Sequence, residues 1–493
     1  MLVVCLAFPA FANCSSISKP YFAFSTGASQ AYQKAIELRF VEARTLLAQL
    51  KHSEPDNHLI YLVENYVDFF TIFLDENEQE FRSLEHNKDK RLELIAQGDR
   101  NSPYFLYAQA EIKLQWALSR LKFEEYFSAL MEIRSAYKLL TKNQKRFPNF
   151  VANKKSLGIL HALVGTIPDS YRWGVKLLGG MDGTIEQGRG EIEEVLDHAK
   201  DHPFIFEEET RVIYALLMLH LGNQQETAWQ VISSPKLNPQ KNPLATFVLA
   251  NVAMHSGKNE EVIRLLENRP LDPAFHPFPY LDYMLGLAKL YRLDVDADQY
   301  FKKYLTNFRG RNYIKEAYQK LAWWSLLQGN AGEYRRFIKQ CKQKGAAVIG
   351  GDKQALKEAT SGVMPDPILL RARLLFDGGY HRRALEQLRS HSVDQFATIG
   401  QQLEYTYRLG RITHRMGQWA DAIEFYGQTI EKGREYKFYF ACNAALQMGL
   451  VYEQQGKREL ARQSYKECLR LRPDEYQNSL HQKAKAGLNR LDN

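Results

Sequence analysis

Apolar residues recur at three- and four-residue intervals along most of this chain, and alternating patterns bounded by hairpin turns are scarce. That periodicity predicts helices over residues 31–50 and 57–74, joined across Pro55, and over 105–121 and 126–141, stopped near Pro148. Paired helical patterns resume at 207–221 with 225–232, 245–255 with 260–266, 280–291 with 297–305, and 313–327 with 333–341. Within 59–74, Tyr66, Phe69, Phe70 and Phe73 follow the stripe of an amphipathic helix. Core packing is the default for such a stripe, and membrane-surface binding is the lesser alternative.

The clearest signal lies near the C-terminus. Leu409-Gly410 precedes Gly417, Trp419, Ala422 and Tyr426; 39 residues on, Met448-Gly449 precedes Gly456, Ala461, Tyr465 and Pro473. A looser copy lies at Ala372, Gly379, Ala384 and Leu388. A small residue lets one helix approach its partner closely, and the glycine seven later makes the turn. A second small residue seats the return helix, and the bulky residue four on fills the groove between hairpins. The spacing resembles the tetratricopeptide repeat, whose unit of about 34 residues would need an insertion of about five here. The resemblance implies an all-α, right-handed superhelical solenoid of antiparallel helix hairpins that binds proteins or peptides rather than catalysing a reaction. On the family's frame, Leu369, Arg373, Phe376, Tyr407, Arg411, His414, Arg415, Asn443 and Leu450 fall on the groove side of the first helices. Arg373, Arg411 and Arg415 there would grip an acidic segment or a C-terminal carboxylate, or else form an ordinary solvated basic face. The asparagines of carboxylate-clamp repeats are missing at the corresponding places, which leaves the ligand class open.

A second resemblance covers about residues 100–200. Leu157-Gly158-Ile159-Leu160-His161, an Ile167-Pro168 turn and Leu177-Leu178-Gly179-Gly180 are similar to the domain shared by the fungal inclusion-body clearance proteins and the animal tetratricopeptide-39 relatives. It implies an all-helical repeat scaffold and supplies no catalytic residues.

Composition narrows the function. Sixty-five basic and 57 acidic residues leave a net charge of +8 with no dense basic block, which disfavours nucleic acid as a partner. No apolar run is long enough to span a bilayer, and peripheral membrane association stays open. Residues 1–12 are apolar and end in Ala10-Phe11-Ala12, the pattern of a signal peptide. Export to the periplasm or outer membrane of a bacterium is expected, with lipidation at Cys14 the minor alternative. The other cysteines, apart from Cys5 in the leader, show no metal or disulfide spacing and predict buried thiols. The organisation then reads as signal peptide 1–12, an N-terminal repeat region 13–200, middle hairpins 201–344, an irregular insertion 345–364, tetratricopeptide-like repeats 365–475 and a capping helix 476–493.

Catalytic and metal motifs are weak. Asp294, Asp296 and Asp298 open like a calcium loop, but Gln299 and Leu305 stand where glycine and glutamate belong. His198 and His202 share a helix face without a third ligand placed by the sequence. No cofactor or metal is expected. Two alternatives to a peptide-binding groove stay in view: a multi-surface envelope scaffold without a discrete ligand, and an enzyme whose site lies in 158–190, built on His161, Asp169, Tyr171 and Arg172.

Overall fold

A computed structural model describes residues 19–165, 180–221, 224–234 and 237–492. The expected leader 1–12, Cys14, and the segment bearing Pro168, Asp169, Tyr171, Arg172 and Leu177 lie outside these residues. The described residues form 24 α-helices, and their only β feature is an isolated bridge between Tyr21 and Asn57. The chain divides into two compact units, Met1–Asn223 with Leu271–His276, and Gln224–Pro270 with Pro277–Asn493.

In the first unit the expected helix at 31–50 is two, Thr26–Ile36 and Phe40–Ser53, because Leu38 adopts a left-handed conformation between them. Helix Leu59–Asp75 is buried on most of its circumference, including Asn65 and Asp68; of its aromatic stripe Tyr66 is buried, while Phe69, Phe70 and Phe73 are half-buried. Helix Glu78–Ala96 follows it, unforeseen in the sequence. A charged cluster lies within the apolar core of this unit. The Lys155 ammonium donates to Glu111 at 2.9 Å and Glu209 at 2.7 Å, and lies 4.8 Å from the Phe206 ring centre. Tyr32 and Tyr66 donate to the second Glu209 oxygen, and Ser156 donates to Glu111. Burial opposes the Lys155 charge, but the two carboxylates more than offset it and hold its pKa above the usual lysine value.

The second unit is a series of antiparallel helix pairs, each packed on its partner and on the next pair. The pairs are Pro243–His255 with Asn259–Glu267, Tyr280–Arg292 with Ala297–Asn307, Ile314–Leu327 with Ala331–Gln343, Pro367–Asp377 with His381–Arg389, Ile399–Arg415 with Trp419–Gly433, and Tyr439–Gln454 with Arg458–Arg470. Helix Gln477–Asp492 packs on the last pair. The span 345–364, expected to be irregular, holds helix Gly350–Ser361. Its buried Asp352 accepts from the backbone of Tyr313 at 2.7 Å and Glu316 at 2.9 Å, capping the neighbouring helix.

Gly417 and Gly456 take left-handed φ values of 74° and 71° in the hairpin turns, and Ala372, Ala422 and Ala461 are fully buried. A methyl group on Gly410 would stand 2.6 Å from the Tyr426 ring, and one on Gly449 2.5 Å from the Tyr465 ring. Tyr426 therefore fills space within its own hairpin. Tyr465 reaches further, lying against Gly487 of the capping helix as well. Pro473 is buried three residues past the last repeat helix. Cys442 and Cys468 are buried thiols with sulfurs 3.6 Å apart, and Cys341 is also buried and free.

Candidate binding site in the C-terminal repeats

The first helices of the last three pairs are set up locally for a shared face. Asp366 caps Pro367–Asp377 by accepting from Ile368 and Leu369, with Pro367 in the first turn. Thr398 and Gln401 form a capping box at the start of Ile399–Arg415. Residues three and four apart on each helix then point the same way. Arg373, Phe376 and Asp377 on one, Tyr407, Arg408 and Arg411 on the next, and Tyr439 and Asn443 on the third line a cavity of about 280 Å³. Tyr476, Ser479, Leu480 and Lys483 close it from the capping end.

At its centre the Tyr407 hydroxyl oxygen accepts from Arg411 Nη1 and from Asn443 Nδ2, both at 2.7 Å. The Arg411 guanidinium lies 5.0 Å from the Phe376 ring centre and 5.7 Å from that of Tyr407. Arg373 lies 4.7 Å from the Trp323 ring centre and 3.8 Å from Asp377, while Arg408 is paired with Glu404. Arg411 and Lys483 have no carboxylate within 4 Å among the described residues. Burial works against the Arg411 charge, yet the Tyr407 and Tyr426 phenols keep its pKa above the usual arginine value. The arrangement offers a fixed cation, amide and phenol groups, and aromatic walls to a ligand carrying negative charge.

Five of the nine expected groove residues meet in this cavity: Arg373, Phe376, Tyr407, Arg411 and Asn443. The others sit elsewhere. Leu369 is buried in the core with Ala372, Leu375 and Leu409, and Leu450 packs on the next cluster. His414 Nδ1 lies 3.2 Å from the Tyr426 hydroxyl, where burial, Arg415 and Arg411 push its pKa down to about 4. Arg415 is exposed. Asp377, Arg408, Tyr439 and the capping-helix residues are additions; Tyr476, Ser479 and Lys483 carry the signal, being spaced three and four apart.

The other candidates resolve into local contacts. His161, 7% exposed, lies 2.6 Å from Glu191 and 3.0 Å from Gln187. The His198 and His202 rings stack at 4.5 Å. Asp294, Asp296 and Asp298 pair respectively with Arg292, Lys289 and Lys302.

Residues 402–474, which span the last two repeat pairs, match the family model described as tetratricopeptide repeat. No curated protein matches the chain. Among solved structures, the chain is similar to the tetratricopeptide-repeat domain of P58(IPK), at 13% identity over 86% of this chain and 99% of that one, with a TM-score of 0.21. It is also similar to a chain of the APC/C hetero-tetramer Cut9–Hcn1, at 13% identity over 93% and 96%, with a TM-score of 0.23. A further similarity is to yeast Tom70, at 12% identity over 95% and 96%, with a TM-score of 0.24. The tetratricopeptide assignment rests on residues 402–474, where the helix pairs, the turn glycines and the family match coincide.

Proposed function

We propose that this chain is a non-catalytic, protein-binding repeat scaffold of the bacterial cell envelope, exported by its N-terminal leader. In this reading it holds an acidic segment of its partner in the cavity of the C-terminal repeats, and it associates peripherally with a membrane. The similarity of residues 100–200 to the inclusion-body clearance proteins and tetratricopeptide-39 relatives belongs to the same reading. One observation carries it: Arg411 and Asn443 converge on Tyr407 in a cavity whose cations outnumber its single lining carboxylate. Several cations lining one cleft focus the potential and give a salt-sensitive association. Crosslinking and mass spectrometry in native cells should identify the partner, and N-terminal sequencing of the mature chain should begin at Asn13. Arg411→Glu should weaken that partner's binding; because it also removes the bond to Tyr407, Arg411→Gln is the control that separates lost binding from lost stability. Wild-type affinity at low salt in a variant carrying Arg373→Glu, Arg411→Glu and Arg415→Glu would exclude the cavity.

A further inference from the structure

Far along the chain from the cavity, in the first unit, helices Tyr104–Lys122 and Tyr126–Arg146 form an antiparallel pair. Large apolar side chains stay in solvent at the end where the two helices meet. Phe127 is 76% exposed and Tyr126 58%, and Leu118, Leu121, Leu130 and Met131 are each at least 39% exposed. Single exposed apolar residues need no explanation, but several such side chains at one hairpin end mark an interaction site.

The remainder of the second helix says what the site meets. At 100° per residue, Phe127, Leu130 and Met131 share their face with Arg134, Lys138, Lys142 and Lys145. None of these four cations has a carboxylate within 4 Å among the described residues. The helix's own carboxylate, Glu132, is held by Lys88 and Lys113; Glu125, just before the helix, is held by Arg82 and Arg120. One helix face thus runs from an apolar end to a basic stem. At 1.5 Å per residue, Lys138 stands about 16 Å along the axis from Phe127.

We propose that this hairpin is a membrane-docking surface that lies on an anionic lipid bilayer. Phe127, Leu130 and Met131 enter the headgroup boundary, and the exposed Lys138, Lys142 and Lys145 rest on lipid phosphates. The inference rests on the reading of peripheral association and names the surface that performs it. A lipid surface fits better than a protein partner. Aromatic side chains that project from a hairpin end are accommodated by a fluid interface without a preformed pocket, and the cations on the same face lie in the plane of the headgroups. No described helix is long and apolar enough to cross a membrane.

The test is co-sedimentation of the purified full chain with vesicles of equal parts phosphatidylglycerol and phosphatidylethanolamine, and with vesicles of phosphatidylcholine alone. The wild type should bind the anionic vesicles in a salt-sensitive manner and the neutral ones far more weakly. Reversing Lys138 and Lys142 to Glu should weaken binding by about fivefold or more per position. A variant with Phe127→Ser and Met131→Ser should lose at least roughly tenfold, with its circular dichroism and melting temperature unchanged. If the wild type ignores both kinds of vesicle, peripheral association and this surface fall together. If it binds and these variants bind equally well, association stands and the surface is wrong. If the wild type ignores vesicles and the Phe127→Ser, Met131→Ser variant loses a crosslinked protein instead, the surface is a protein interface and the lipid assignment is overturned.

Discussion

Glycine inside a helix is ordinarily a defect, and replacing it with alanine gains about 0.5–1 kcal/mol. Gly410 should behave in the opposite way. A Cβ there would sit 2.6 Å and 2.7 Å from two carbons of the Tyr426 ring, against about 3.5–4.0 Å for ordinary carbon contact. The ring must retreat by close to 1 Å, yet Tyr426 is fully buried and its hydroxyl is engaged with His414. Overpacking costs about 1–3 kcal/mol, so after the helix-propensity gain Gly410→Ala should lose on the order of 1–2 kcal/mol. The same hairpin supplies the control. Gly427 lies inside Trp419–Gly433, where an added methyl group would meet nothing within 4 Å, so Gly427→Ala should gain about 0.5–1 kcal/mol. A repeat array need not unfold in one step, so the readout is hydrogen exchange resolved over residues 399–470. Combining Gly410→Ala with Tyr426→Leu should remove most of the penalty, a coupling visible in a double-mutant cycle. If Gly410→Ala slows exchange as Gly427→Ala does, close approach is not the reason for the glycine.

Two further outcomes follow from buried charge. Lys155→Met would leave Glu111 and Glu209 facing each other without their cation, and should cost about 3–5 kcal/mol in urea denaturation of the first unit, with the C-terminal pairs unaffected. His414 has a folded pKa pushed down to about 4 from an unfolded value near 6.5, so the unfolded chain binds more protons between those values. Stability of the Ile399–Gly433 region should therefore fall as pH drops through that window and stay flat above it; His414→Gln should abolish the dependence, and an unchanged pH profile would refute it.

What the sequence revealed follows from how each element buries its face. The last repeats were legible because Gly410, Ala422, Gly449 and Ala461 are small for a steric reason that fixes their spacing. Helix Glu78–Ala96 was not, because Phe81 and Ile95 share its buried face with Lys88 and Arg91. Those two cations are buried against Glu132 and Asp68, a partnership that no apolar periodicity announces. Helix Gly350–Ser361 escaped notice for a related reason: its buried residues are Asp352, Ala355 and Ala359, and it opens on two glycines. In the cavity, the first-helix frame located Arg373, Tyr407, Arg411 and Asn443, whereas Leu369 and Leu450 follow their hydrophobicity inward. The wall from the capping helix belongs to no repeat, so the frame could not supply Ser479 or Lys483.

The modest net charge of +8 has a more local meaning once the partners are assigned. Bringing Lys88, Arg91, Arg120 and Lys155 into the first unit is costly and is offset only where carboxylates accompany them. Asp68, Glu85, Glu111, Glu125, Glu132 and Glu209 are engaged in that way. Each carboxylate drawn inward is one fewer to neutralise the surface above it. The basic stem of Tyr126–Arg146 is a direct case, because Glu132, its own acidic residue, turns away to Lys88 and Lys113. Cations exposed beside such a core attract an anionic surface more strongly than the same residues among surface ion pairs, whose charges are already screened and compensated. The charge that stabilises the interior thereby shapes what the exterior can bind.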